Sequence, residues 1–197
     1  MMAAAELFET VLVEQDAPCD PRIAQLIWWA ARFAELGFTP SYGPGDHGNL
    51  SCRAPHGLII TARQTNKARL IPDQFVEVIN GPAVLQAGAP IECRGLRLPS
   101  TDTLMHVRIY ALRPELQAIL HGHDHAALAK ADRLHIPVTR ISAATPSLAL
   151  IDEVCGLARE HDYLLMRDHG FLALGRSIDD AGELVRTINA RARSLLV

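Results

Sequence analysis

The stretch YLLMRDHGFLALG (residues 163–175) sets two apolar runs on either side of only three residues, Asp168, His169 and Gly170. A joint this short closes an antiparallel strand pair, whereas parallel strands need a crossover of a dozen or more residues. NLSCRA (49–54) and GLIITAR (57–63) repeat the arrangement earlier in the chain, with two residues between them. FVEVI (75–79), AILHGH (118–123) and IPVTRI (136–141) are further short runs of strand character. Helical stretches lie between them. PRIAQLIWWAARFAEL (21–36) starts after Asp20 and stops at Gly37. Ser100 or Thr101 caps a helix reaching about Leu112, with Asp102 in a first turn that suits the helix dipole. SLALIDEVCGLARE (147–160) is another helix, and Ser177 caps a last one that reaches the C-terminus. MMAAAELFETVLVEQ (1–15) has alanine-rich helical character, and IECRGLRLPS (91–100) reads as irregular or extended. Strand pairs interleaved with helices predict an α/β chain with a mixed, largely antiparallel sheet flanked by helices.

No repeat, low-complexity tract or linker divides the 197 residues, so a single domain over 1–197 is expected. Nineteen basic against 22 acidic residues leave a net charge of -3, without the basic face that nucleic acid or an anionic membrane would require. The four cysteines form no Cys-x-x-Cys pair, the N-terminus lacks a basic-then-apolar export signal, and no apolar run is long enough to span a bilayer. These features predict a reduced, soluble, cytoplasmic protein, with cysteines serving as small buried hydrophobes.

Nine histidines are many for this length. His121 and His123 are two residues apart on a predicted strand, so their rings leave the same face. Neutral imidazoles so placed converge on one ion, and imidazole is the commonest zinc ligand. His125 offers a second pairing with His123, but AALAKAD after it is helical, which ends the strand near His123. His169, in the tight turn of the hairpin, is placed to reach in as a third ligand. Three protein ligands with one open position are what a catalytic zinc requires.

GNLSCR (48–53), GLIIT (57–61), PSTDTLMHVRIYALRPELQAILHGHDH (99–125), IPVTR (136–140) and DHGFLALGRSIDDA (168–181) together resemble the class II aldolase/adducin family, in order and in spacing, over nearly the whole chain. The resemblance implies a three-layer α/β/α fold and a metal held by His121, His123 and His169, with zinc, or manganese or cobalt, as the ion. The family's acidic residue falls on Asp102, as metal ligand, acid/base or both. Its substrate-binding positions fall on Asn49, Ser100 and Thr101.

Two departures stand out. Where the family has a Ser-Gly pair after the second strand, this chain has Arg63 and Gln64, so a small phosphate-wrapping loop becomes bulky and cationic. Arginine still grips an anion bidentately. The chain also ends with its last helix, without the tail tyrosine of many members. The epimerases' cross-subunit aspartate is replaced by His135, which is capable of proton transfer. His47, just before Gly48 and Asn49, is placed to line the pocket. The expectation is a zinc-dependent lyase or epimerase working on a small hydroxy-carbonyl compound through a metal-stabilised enediolate, in a homotetramer. A decarboxylase or dehydratase uses the same chemistry. An adducin-like assembly domain would keep the fold while losing the ligands that this chain retains.

Overall fold

The computed structural model describes residues 7–85, 89–142 and 146–195. Nine strands among them are β1 (Thr10–Glu14), β2 (Asn49–Ala54), β3 (Gly57–Thr61), β4 (Phe75–Val78), β5 (Ile91–Gly95), β6 (Ala118–Gly122), β7 (Val138–Ser142), β8 (Tyr163–Arg167) and β9 (Gly170–Gly175). The helices are α1 (Ile23–Glu35), α2 (Gly81–Val84), α3 (Thr103–Leu112), α4 (His125–Ala129), α5 (Ala131–Leu134), α6 (Leu148–Ala158) and α7 (Ile178–Ser194).

The strands make one mixed sheet in the order β1-β5-β4-β3-β2-β6-β9-β8-β7. The pairs joined by short connections are antiparallel, as their spacing requires. The two outermost pairs, β1 with β5 and β7 with β8, are parallel. Period-two alternation makes both faces of the sheet apolar, which is why its strands read as nearly continuous hydrophobic runs. Leu120, Phe171 and Leu165 join the core beneath α1 and α7, while Ile119, Leu172 and Leu164 join the core beneath α3 and α6. The result is a three-layer α/β/α domain.

α1 buries Ile23, Leu26, Trp29, Ala30 and Phe33 along one stripe, and Trp29 Nε1 donates to Asp179 at 2.8 Å, tying α1 to α7. Ser177 caps α7 by accepting from the Asp180 amide, and Ser147 caps α6 in the same way.

Three local expectations change. Thr10–Glu14, placed in an N-terminal helix by the alanine-rich start, is an edge strand instead, and residues 1–6 lie outside the described ones. Thr10, Val11 and Val13 are β-branched, and pairing with β5 overrides the local preference. Residues 91–95 are correspondingly a strand rather than irregular. α3 begins at Thr103, and neither Ser100 nor Thr101 is its cap; Asp102 occupies that position, but its carboxylate makes no cap hydrogen bond. Of the four cysteines expected to be buried, Cys52 and Cys93 are, and burial pushes both thiols up to about 12; Cys155 is partly buried, and Cys19 is exposed. No described helix is long and apolar enough to cross a membrane.

Candidate metal centre

β2 starts, β6 ends and β9 starts at one end of the sheet, because β2 and β9 both run antiparallel to β6 and flank it. Asn49 is therefore the ladder partner of His121 on one side, and Leu172 its partner on the other. On β6, His121 shares a face with Ile119, the face toward α3, so the ring points to the helix start that carries Asp102. The approach is close. Gly48 has φ +82°, and a Cβ there would lie 2.8 Å from the His121 carbonyl oxygen, so both backbone shape and space demand glycine. A Cβ on Gly170 would lie 2.3 Å from the Gly122 carbonyl oxygen, so the third histidine follows from the same need for space.

His169 sits in the β8–β9 turn, where Asp168 takes φ 57° and the His169 amide donates to the Met166 carbonyl. The turn brings His169 Nε2 to 3.2 Å from His121 Nε2. His121 Nδ1 lies 2.7 Å from the Phe171 carbonyl, which can only accept, so Nδ1 carries the proton and Nε2 offers its lone pair. His123 Nε2 is buried and makes no hydrogen bond. Ligand atoms of His121, His123 and His169 all lie within 4.8 Å of one another.

These observations fit a divalent cation. Tetrahedral zinc with bonds of about 2.0–2.1 Å holds two imidazole nitrogens about 3.3 Å apart, close to the separation of the two Nε2 atoms. Burial, and next the neighbouring His169, holds the His121 imidazole well below its ordinary value; burial with the surrounding histidines takes His123 to about 2. Both rings are thus neutral, the state that ligates.

Asp102 is the carboxylate beside the cluster. Its Oδ2 is 3.9 Å from His121 Nε2 and accepts from Asn49 Nδ2 at 2.6 Å. Both side chains are buried. Asn49, expected to bind substrate, also orients the acid through its Nδ2, while its Oδ1 has no hydrogen-bond partner. Ser100 is buried and its Oγ accepts from the Asp102 amide, whereas Thr101 is exposed next to it. Arg63 is half-buried, and its Nε donates to the Pro99 carbonyl at 3.0 Å, which places the guanidinium beside Ser100. Gln64 adopts φ 56°, the left-handed conformation that glycine takes without strain.

His135 is not brought to this cluster. It ends α5 in a left-handed conformation, exposed, three residues before Val138, and Val138 pairs with Leu165. Since β7 and β8 are parallel, His135 lies at the opposite end of that pair from His169. His125 begins α4 behind the Asp124 cap and lines a separate cleft of about 600 Å³ with Arg167 and Asp168.

Two further polar groups lie buried near the site, and only the first is without a signal in the sequence. Lys67 is buried, donates to the Asp46 carbonyl, the Thr65 carbonyl and Thr65 Oγ1, and burial lowers its pKa to about 8. His106 is buried one helical turn after Asp102, with Nδ1 2.8 Å from Ser51 Oγ, which in turn lies 2.9 Å from the Tyr110 hydroxyl. A lysine after a turn-rich segment gives no signal of burial; the period of α3 does place His106 inward.

Residues 24–196 match the Class II Aldolase and Adducin N-terminal domain. A methylthioribulose-1-phosphate dehydratase of Pseudoalteromonas translucida is 29% identical over 80% of this chain and 82% of its own length. A 5-methylthioribulose-1-phosphate/5-deoxyribulose-1-phosphate aldolase of Escherichia coli is 29% identical over 68% of this chain and 66% of its own length. Among solved structures, the l-fuculose-1-phosphate aldolase of Thermus thermophilus superposes with a TM-score of 0.73 at 23% identity, covering 88% of this chain and 91% of that one, a likeness of fold. With the match spanning nearly its whole length, the chain belongs to the class II aldolase and adducin family.

Proposed function

We propose that this chain is a metal-dependent lyase that eliminates water from a small phosphorylated ketose of the methylthioribulose 1-phosphate type. The observation that carries the reading is the histidine cluster with two Nε2 atoms 3.2 Å apart, beside a carboxylate held by Asn49. His121, His123 and His169 hold the ion, for which zinc suits the all-nitrogen ligand set. When bound, a divalent cation supplies Lewis-acid stabilisation of negative charge developing on the substrate's carbonyl oxygen. Asp102 acts as the base that takes the proton from carbon. Asn49 aims its carboxylate, and helix α3 fixes its position. Arg63, Ser100 and Thr101 hold the substrate's anionic end, the guanidinium replacing a glycine loop as the anion's partner.

The dehydratase reading draws on the relative from Pseudoalteromonas translucida, and carbon–carbon cleavage draws on the aldolase from Escherichia coli. Dehydration takes a proton from the carbon beside the carbonyl and expels the hydroxyl of the next carbon as water, whereas cleavage takes the proton of that hydroxyl and breaks the carbon–carbon bond. In both, negative charge develops on the carbonyl oxygen, where a bound divalent cation would stabilise it. Retention of all three histidines favours either enzyme over an assembly-only domain. In a homotetramer, His135 would act only from a neighbouring subunit, because its own metal cluster is at the other end of the sheet. A reduced cytoplasmic setting suits the unpaired cysteines among the described residues.

Incubating the zinc-loaded protein with 5-methylthioribulose 1-phosphate and reading products by mass spectrometry tests the reading. Loss of one water supports it, cleavage into two fragments favours the aldolase, and unchanged substrate with full metal occupancy rejects this substrate type.

A further inference from the structure

From the metal cluster, a row of rings leads outward. His123 lies 4.7 Å from His47 and His47 4.8 Å from Tyr42, centroid to centroid, each pair tilted. Exposure rises along the row: His121 is 1% exposed, His123 and His47 are partly buried, and Tyr42 is 44% exposed. Both outer rings come from one surface segment, residues 40–48, yet this segment is tied down at several points. Ser41 bridges to Asp46, the His47 amide donates to the Pro40 carbonyl, and the Asp46 amide donates to the Thr65 carbonyl. A Cβ on Gly45 would come within 2.6 Å of the Gln64 Cα, so the segment is packed onto its neighbour with no room between. Such anchoring presents the rings in a fixed place before any ligand arrives, which lowers the ordering cost of binding.

The charge around the rings argues against an anion. Residues 40–48 contain no lysine or arginine, and the one acid, Asp46, accepts from the Lys67 amide. The Lys67 ammonium spends its three donors on Asp46 and Thr65 oxygens. What remains is two ring faces and their polar tips.

We propose that His47 and Tyr42 form a substrate subsite continuous with the metal centre, which takes an apolar substituent (alkyl, thioether or aryl) of the substrate. Ring faces attract such groups through dispersion and, for sulfur, through its contact with the aromatic edge. The subsite determines specificity and leaves the chemistry to Asp102 and the metal. It rests on the reading that the histidine cluster holds a metal that binds adjacent substrate oxygens.

Two hydroxamates separate these claims. Acetohydroxamate chelates a metal through two adjacent oxygens and carries only a methyl group; benzohydroxamate adds a flat apolar ring. With the zinc-loaded full chain, calorimetry is expected to show benzohydroxamate binding about ten-fold more tightly. Tyr42→Ala and His47→Ala are each expected to remove most of that preference while leaving acetohydroxamate affinity within about two-fold. His47→Phe, which keeps a ring, is expected to retain it. If both hydroxamates bind but their ratio is unchanged in the two alanine variants, the subsite is wrong and the metal reading stands. If neither binds the zinc-loaded wild type, the metal reading fails and takes the subsite with it.

Discussion

His121 and Gln64 lie at the same end of the sheet, yet the chain holds them in opposite ways. His121 sits on a central strand paired on both sides, with its ring fixed by the Phe171 carbonyl and its backbone closed over by Gly48. Gln64 is exposed on a connecting loop, in a backbone conformation that suits glycine better. Ligand atoms must meet within a few tenths of an ångström, so they belong at the end of a paired strand and in a two-residue turn. The rim has to match only the substrate, and loops accept that variation. The contrast explains how a family can keep one metal centre and change what it acts on.

The sharpest way to break the comparison is at Asp102. Asp102→Asn keeps the shape and the neighbour Asn49, so metal content and thermal midpoint are expected to hold while kcat falls roughly 10²- to 10⁴-fold, the usual worth of a positioned base. A variant retaining most of its kcat would remove Asp102 from proton transfer.

Acid acts next, on the buried histidines around the cluster. Burial takes His106 from 6.5 to about 4 and lowers His121 and His123 as well. The folded chain therefore binds fewer protons here than the unfolded one. The stability involved is complete above pH 6.5 and is lost as the pH falls toward 4; for His106 alone it is on the order of 3 kcal/mol. Urea midpoints of the chelated protein at about pH 7.5 and 5 should show this decline. Equal midpoints would mean that these rings are not neutral in the folded state.

Smaller effects are expected on the rim. Arg63→Ala should raise KM about ten-fold for a phosphorylated ketose with little change in kcat, since binding is lost in ground and transition states alike. A fall in kcat with unchanged KM would move Arg63 into the chemistry. Gln64→Gly should raise stability by about 0.5 kcal/mol, relief of the left-handed backbone slightly exceeding the entropy cost of glycine. A lower thermal midpoint would show that the Gln64 side chain contributes more than its backbone strain costs.

What the sequence disclosed depended on how local the cause was. The hairpin around Asp168–Gly170 was legible from its connection length, and the shared face of His121 and His123 from strand periodicity. β1 was not, because its partner, residues 91–95, is some eighty residues away and the pairing is parallel. The Asn49–Asp102 bond was equally hidden: it depends on how α3 seats on β2, and it gives Asn49 a part in holding the acid. Lys67 is buried because oxygens of Asp46 and Thr65 happen to converge on it, which no spacing rule announces. His135 sits in the family's position, yet the direction of β7 sends it away from its own cluster.

The central claim is that His121 on β6, His123 just past its end and His169 in the β8–β9 turn make one metal site. Elemental analysis of protein purified without chelator tests it directly. The account predicts one divalent ion per chain, zinc foremost, and its loss in His121→Ala with the fold retained. Wild-type protein that carries no stoichiometric divalent ion and takes none up on addition of zinc would contradict it.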